Sequence, residues 1–502
     1  MQDRNATRLR KIIRLADGKP PRVMDLFSGC GGISLGFHRA GYKIVANVEI
    51  DRHAAETHAT NFHTNLERFR RHRDITVEEP EDLVREQCQT DVPDQSIDVI
   101  VGGPPCQAYT RVGRAKLRDV AQHPEAFLQD PRGNLYLRYL HYVERLQPLA
   151  LVMENVPDSL NYGGVNIPQE VADSLTAMGY ECQYTLLNAV HYGVPQLRER
   201  MILIAIAKEL HLVPKFPRPT NNMVLPDGYR HMRQALLPND RGMANQSEQN
   251  YYVPSPTPSS GRPAHRTAQD ALSDLPPMVG RQEKSNNPYG ADVPYPEVQN
   301  ISDYAKDMRT WPGFQRGDLV RDHVTRALLR DYPIFRRMAW GDQYPAAYRI
   351  AEGILEGRLH ALGFQASPGD AWYENLRAKI VPPYDPGKFP NKWRKMEPDQ
   401  PARTLLAHLG KDCYTHIHYH DEQARTISVR EAARLQSFPD GFRFPRTLNA
   451  AFRMIGNAVP PLLAFCIARQ LKRNLREGAT HFIRASLERS PCLETPSEPA
   501  GV

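Results

Sequence analysis

The chain has 502 residues, 41% hydrophobic and 24% charged, which is ordinary for a globular protein with two or three cores and excludes low-complexity and collagen-like classes. Its net charge of +7 is compatible with a polyanionic partner without specifying one, and most of the excess lies between 208 and 403. Seven scattered cysteines without a CxxC pair argue against a disulfide framework and a zinc site, and no signal peptide or apolar run of membrane-spanning length is read, so a cytoplasmic setting is expected.

Residues 1–21 predict a short basic helix, Arg8–Leu15, either solvated or touching a polyanion. Residues 22–207 alternate strand-like and helix-like segments. Strands are predicted at 23–27, 43–48, 97–101 and 149–153, with a final antiparallel pair at 180–188 and 200–207. Such alternation predicts an α/β fold with a mostly parallel sheet covered by helices. From 208 the pattern weakens. Residues 238–266, rich in Pro, Ser, Asn and Gln, read as a mobile insert. Helices are predicted at 267–275, 321–337, 346–362, 429–437 and 458–475, and a disordered tail after Gly478.

Four strand ends carry chemistry. Asp25-Leu26-Phe27-Ser28-Gly29-Cys30-Gly31-Gly32 is a strand followed by a glycine turn that lets a ligand approach the backbone, and Glu49 ends the next strand where a carboxylate can accept from ribose hydroxyls. The turn is not GxGxxG, which argues against a nicotinamide cofactor. Gly102-Gly103-Pro104-Pro105-Cys106 presents one thiol after two prolines that stiffen the turn. A lone cysteine is more often a buried structural thiol, but this position favours a nucleophile, activated if cations such as Arg111, Arg114 or Arg198 lie close. The polar segment 107–132 is long enough to be a functional loop. Glu154 ends a further strand on the same sheet edge. Arg198 and Arg200 alternate with Leu197 and Glu199, so both can share one face; a surface ion-pair face is the competing reading.

Together these blocks resemble the DNA cytosine-5 methyltransferase family, over roughly 22–206 and 397–470 and in the family's order. The segment 25–37 resembles its first motif, Glu49-Ile50-Asp51 and Asp74-Ile75 its ribose and adenine contacts, and Pro105-Cys106-Gln107 its nucleophile motif. Asp130–Leu135, Glu154-Asn155-Val156 and Gln196-x-Arg198-x-Arg200 resemble the next three, and 425–439 and Gly456–Pro461 the last two. Ala108-Tyr109-Thr110 departs from the more usual Phe-Ser while keeping a ring and a hydroxyl.

The resemblance implies a Rossmann-like S-adenosylmethionine-dependent methyltransferase sheet with a second, smaller target-recognition domain. Catalytic and cofactor-binding residues would span 22–207, target recognition 208–450, and a helix at 451–477 would return to the catalytic sheet. It implies Cys106 as nucleophile, Glu154 on the ring nitrogen and amine, Arg200 on O2, and Arg198 in support. Cofactor contacts would be Phe27, Gly29, Gly31, Glu49, Asp74, Ile75, Pro104, Leu135 and Asn457. Gln107, Thr110, Arg111 and Gly113 would belong to a loop closing on a flipped base, and no metal is implied. The implied substrate is double-stranded DNA, in a prokaryotic enzyme acting as a monomer, alone or beside a cognate restriction endonuclease. Three rivals remain at this point: a tRNA cytosine-5 methyltransferase on the same scaffold, suggested by Cys413-Tyr414-Thr415; a catalytically silent DNA binder; and an exocyclic-amine methyltransferase, which would place an aromatic residue where Cys106 stands.

Overall fold

The computed structural model describes residues 2–489 except 65, 106–134, 163, 237–248, 282–291, 316 and 364–366. Its centre is a six-stranded sheet in the order β2-β1-β3-β4-β6-β5. The strands are β1 Arg22–Leu26, β2 Lys43–Val48, β3 Val99–Gly102, β4 Ala150–Asn155, β5 Tyr180–Asn188 and β6 Glu199–Ala207. The first four pair in parallel; β6 runs antiparallel to β4 and β5, as the sequence predicts.

β3 and β6 are buried along their whole length, because helices cover both faces. Alternate residues of β6 separate the two cores: Ile202, Ile204 and Ile206 join one, Met201, Leu203 and Ala205 the other. The first core contains apolar residues of α1 (Gln2–Ala16), α2 (Gly32–Arg39) and α3 (Arg52–Phe62). The second is built with α4 (Leu135–Leu146) and α5 (Ile167–Ala177), the latter started by Asn166, whose side chain accepts from the Gln169 amide.

The basic N-terminal helix is neither solvated nor an arm. Ile12 and Leu15 are buried, and the Lys11 Nζ donates to the carbonyls of Leu146 and Gln147 at 2.6 and 2.9 Å, satisfying the C-terminal end of α4. Residues 321–331 are not helical, and only Tyr332–Arg337 is. There the backbone serves a distant segment instead: the carbonyls of Asp322 and Val324 accept from the amides of Arg430 and Val429, and Thr325 donates to the Thr426 carbonyl.

Three helices close the chain: α6 (Val429–Leu435), capped by a reciprocal Ser428–Glu431 box, α7 (Leu448–Asn457) and α8 (Pro461–Arg489). The predicted tail after Gly478 is therefore helical as far as Arg489, because Gly478 packs against Leu210 and Leu212 and Ala479 is buried; residues 490–502 lie outside the described residues. The most apolar 18-residue window within Leu448–Ala485 is 72% buried, as a core helix is. It returns to the sheet through α2, whose glycines permit the approach. A Cβ on Gly32 would lie 2.3 Å from the Val459 carbonyl oxygen, and one on Gly36 2.4 Å from the Phe465 amide nitrogen.

Packing divides the middle of the chain. Residues such as Leu272, Trp311, Phe314 and Phe442 join the first core of the sheet, whereas Phe335, Tyr344, Leu355 and Trp393 form a separate third core. The described part of the 238–266 insert, 249–266, contains no helix or strand.

The seam between these cores holds buried neutral histidines. His416 Nε2 meets the Arg403 carbonyl at 3.1 Å and its Nδ1 meets the Thr415 hydroxyl at 2.9 Å, so one neutral tautomer satisfies both partners. Burial pushes His416 down from 6.5 to about 4. Between those values the unfolded chain takes up a proton that the folded chain refuses, so this residue's contribution to stability is lost as pH falls. His416→Gln is therefore expected to lose less stability than the wild type between pH 7 and 5, measured as urea unfolding midpoints.

Candidate active site

The C-terminal edge of the sheet carries two linked arrangements. The first surrounds the glycine turn after β1. Phe27 adopts φ +60°, rare for a residue with a side chain, and Gly29 and Gly31 adopt +53° and +102°. A Cβ on Gly31 would meet the Phe62 ring at 2.3 Å. Glu49 fixes the turn: one carboxylate oxygen accepts from the Gly29 amide and the other from the Asp51 amide, both at 2.8 Å. Each oxygen keeps a second acceptor position, which suits a ligand with adjacent hydroxyls. Burial pushes the Glu49 carboxyl up from its ordinary value.

The Arg73 amide donates to the Glu49 carbonyl at 2.6 Å, which sets Asp74 and Ile75 beside it. Asp74 closes a local turn by accepting from the Thr76 amide and hydroxyl, and the Ile75 carbonyl accepts from Arg138 of α4 at 2.8 Å. Leu135 begins that helix. Asn457 ends α7 exposed, next to Ala458, whose Cβ lies 3.1 Å from where a Gly32 Cβ would stand. Phe27, Gly29, Gly31, Glu49, Asp74, Ile75 and Asn457 are thus gathered around the ends of β1 and β2. Beneath them the Ser34 hydroxyl bonds the Asp25 carboxylate at 2.6 Å and His58 Nε2 at 3.0 Å.

The second arrangement lies at the ends of β3, β4 and β6. The Pro104 carbonyl accepts from the Asn155 amide at 2.8 Å and the Tyr136 hydroxyl at 3.2 Å, which anchors the diproline turn. Cys106, Gln107, Thr110, Arg111, Gly113 and the rest of the 107–132 loop lie outside the described residues. Glu154 Oε1 pairs with Arg200 Nε at 2.7 Å, both side chains nearly buried. Gly103 leaves the room this requires: a Cβ there would stand 2.8 Å from Glu154 Oε2.

Arg198 and Arg200 are inside the protein rather than on an ion-pair surface, and their tasks differ. Arg198 is fully buried and donates to the carbonyls of Leu405 at 2.6 Å and Gly456 at 3.0 Å. Burial, then Arg200, lowers its pKa well below the usual arginine value. Glu199, on the opposite side, pairs with Arg233. Gln196 continues the bracket, donating to the Leu435 carbonyl while accepting from the Leu405 amide.

A cleft of about 670 Å³ opens beside these residues, its walls including Leu197, Tyr229, Arg394, Met396, Arg403 and Leu406. Its floor, 402–405, is stitched to 195–197: Ala402 donates to the Pro195 carbonyl, Leu197 to the Ala402 carbonyl, and the Thr404 hydroxyl to the Leu197 carbonyl at 2.6 Å. Sequence reasoning placed Gly103 and Asn155 in their motifs without giving either a role, and passed over Tyr136 and the 402–404 segment, which has no local signature.

A family model for the C-5 cytosine-specific DNA methylases matches residues 21–473. The chain belongs to that family. It is 39% identical over 468 residues to a protein described as a type II methyltransferase of Oceanobacillus iheyensis, covering 92% of this chain and 97% of that one. It is 29% identical to the type II methyltransferase M.AgeI of Thalassovita gelatinovora, covering 90% and 99%. A crystal structure of a prophage-encoded DNA modification methyltransferase of E. coli shares the fold, with a TM-score of 0.56, 23% identity and coverage of 91% and 99%. The chain is a prokaryotic DNA cytosine-5 methyltransferase on an α/β sheet. Cys413, from which the tRNA reading took its cue, is buried against the Leu409 carbonyl.

In such an enzyme the Glu154–Arg200 pair is preformed. Glu154→Gln keeps the shape and removes the charge. Methylation of DNA is expected to slow by roughly 10²–10⁴-fold in a radiolabelled methyl-transfer assay, with the melting temperature little changed.

Proposed function

We propose that this enzyme methylates C5 of cytosine within one short recurring sequence of double-stranded DNA, with the target base flipped out of the helix and bonded through C6 to Cys106. The observation that carries the reading is the nearly buried Glu154–Arg200 pair, held against Gly103 in the turn that leads into residue 106.

Cytosine C5 is a weak nucleophile. Addition of the Cys106 thiolate to C6 places negative charge on the ring and makes C5 an enamine carbon. Glu154 engages N3 and the exocyclic amine, and Arg200 donates to O2, so the added charge is drawn away from C5 by groups already oriented. Loss of the C5 proton after methyl transfer restores the double bond and expels the thiolate. The turn residues Gly29 and Gly31, with Glu49, Asp74 and Asn457, fit S-adenosylmethionine, because Glu49 offers spare acceptor positions beside a backbone without side chains. When bound, that cofactor supplies an electrophilic methyl group. Phe27, Ile75, Pro104 and Leu135 complete the cradle. Arg198 acts through position: it holds the strand that presents Arg200.

Flipping is required because the ring atoms of a paired base are enclosed in the stack, and it costs a few kcal/mol. We assign closure on the flipped base to the 107–132 segment, with Gln107, Thr110, Arg111 and Gly113, and sequence reading to the region 208–450. We further propose that the enzyme acts as a monomer in a bacterial cytoplasm, beside a restriction endonuclease of the same specificity; the type II names of the relatives support the last point.

The test is bisulfite sequencing of plasmid DNA from a methylation-free host expressing the wild type or Cys106→Ala. Protected cytosines at one recurring sequence, absent with the variant, are expected. Unprotected DNA from cells containing folded wild-type protein would overturn the reading.

A further inference from the structure

The cleft next to Leu197 contains a charge that no described residue satisfies. Arg394 on its wall pairs with Glu397 at 2.8 Å. Arg403, on the floor, makes no ion pair or side-chain hydrogen bond among the described residues, although it is half-buried. Burial and the nearby Arg394 lower its pKa from the usual arginine value, and Glu397, the carboxylate that opposes this, is already engaged. The other buried arginines behave differently. Arg425, Arg430 and Arg434 each spend their donors on carboxylates and main-chain carbonyls. A half-dehydrated guanidinium with idle donors costs stability unless something else supplies acceptors.

The backbone around Arg403 is held firmly. Ala402 and Thr404 are bonded to 195–197, and the Arg403 carbonyl is held by His416. Leu197, to which Thr404 is tied, stands three residues before Arg200. The Arg403 main chain is therefore fixed in register with the strand that presents Arg200, in a cleft whose lining mixes apolar residues such as Met223, Met396 and Leu406 with polar ones such as Gln400 and Thr404.

We propose that Arg403 is a specificity-determining residue of this enzyme, reading a guanine edge in the recognition sequence. This rests on the sequence-specific DNA reading above. Guanine offers two coplanar acceptors, O6 and N7, in the major groove, which match the planar guanidinium fork. A phosphate contact is the weaker match. Backbone contacts position a duplex without carrying sequence, and they do not need a planar fork held on a fixed main chain. Lys388, which lines the adjoining depression, is a point charge that suits a phosphate.

The test compares wild type, Arg403→Ala and Arg403→Lys by bisulfite sequencing of a methylation-free host genome, and by binding to cognate and singly altered duplexes at two salt concentrations. Both variants are expected to modify sites that differ from the cognate sequence at one base pair, with discrimination there falling about 10- to 100-fold. Lysine, lacking the fork, should not restore it. The salt dependence of binding and the melting temperature should stay near wild type. Unchanged sequence preference in both variants overturns the proposal. So does uniform weakening across all sequences with the salt slope reduced by about one, which marks a phosphate contact. A large fall in melting temperature for Arg403→Lys as well as Arg403→Ala would make the residue structural and overturn it too. A wild type that modifies no recurring sequence overturns the underlying reading as well, whereas a specific wild type with equally specific variants overturns this proposal alone.

Discussion

The buried guanidinium of Arg198 is the contact on which the geometry of the site depends. It lies immediately before β6 and donates to the carbonyls of Leu405 and Gly456, more than 200 residues further along the chain. Leu405 lies between Thr404 and Leu406 of the cleft lining, and Gly456 precedes Asn457, which we assign to the cofactor. One side chain thus holds in register the strand that carries Arg200, the segment 402–406 along the cleft and the end of α7. Gln196 and Gln436 run parallel to it, linking the Leu405 amide to the Ala458 carbonyl. Main-chain carbonyls taken from water need donors, and a buried arginine without them would be more costly still.

The downstream segment that receives the bracket is itself braced by buried charge. Arg425 is bidentate to Glu431, Arg430 reaches Asp322 and the Phe442 carbonyl, and Arg434 lies between Asp274 and Asp440. Such pairs add little net stability compared with apolar packing, but removal of one partner is severe, so they fix one arrangement strongly. Their partners come from 274, 322, 431 and 440, which explains why the region after 267 joins the first core of the sheet. Close packing at Gly32 and Gly36 completes the closure from the other side.

Much of this was legible in the sequence because it is local. The strands ending at Phe27, Val48 and Asn155 announce themselves by short apolar runs, and the residues that follow them carry the chemistry because parallel sheets expose their ligands there. The Ser428–Glu431 spacing likewise marks a helix start. What escaped the reading depends on partners far away in the chain. The 321–331 segment has helix-compatible residues, yet its carbonyls serve 429 and 430. Gly478 looks like a helix end, yet it packs on Leu210. Lys11 and Arg8 suggest a solvated helix, yet one satisfies α4 and the other pairs with Glu209. At the site, the spacing of Arg198 and Arg200 does not by itself tell them apart; the family resemblance gave Arg198 the supporting role, and the fold shows what it supports, the carbonyls of Leu405 and Gly456. Arg403 stands out only because every other arginine around it is paired.

The decisive measurement compares Arg198→Leu with Arg200→Leu, following melting temperature and S-adenosylmethionine affinity alongside methyl transfer. Both should lose methylation. Arg198→Leu should also melt many degrees lower and bind the cofactor weakly, because Asn457 and the cradle lose their register with the sheet. Arg200→Leu should keep both properties near wild type. An Arg198→Leu protein with wild-type melting temperature and cofactor affinity would contradict the bracket and make Arg198 a residue of the reaction alone.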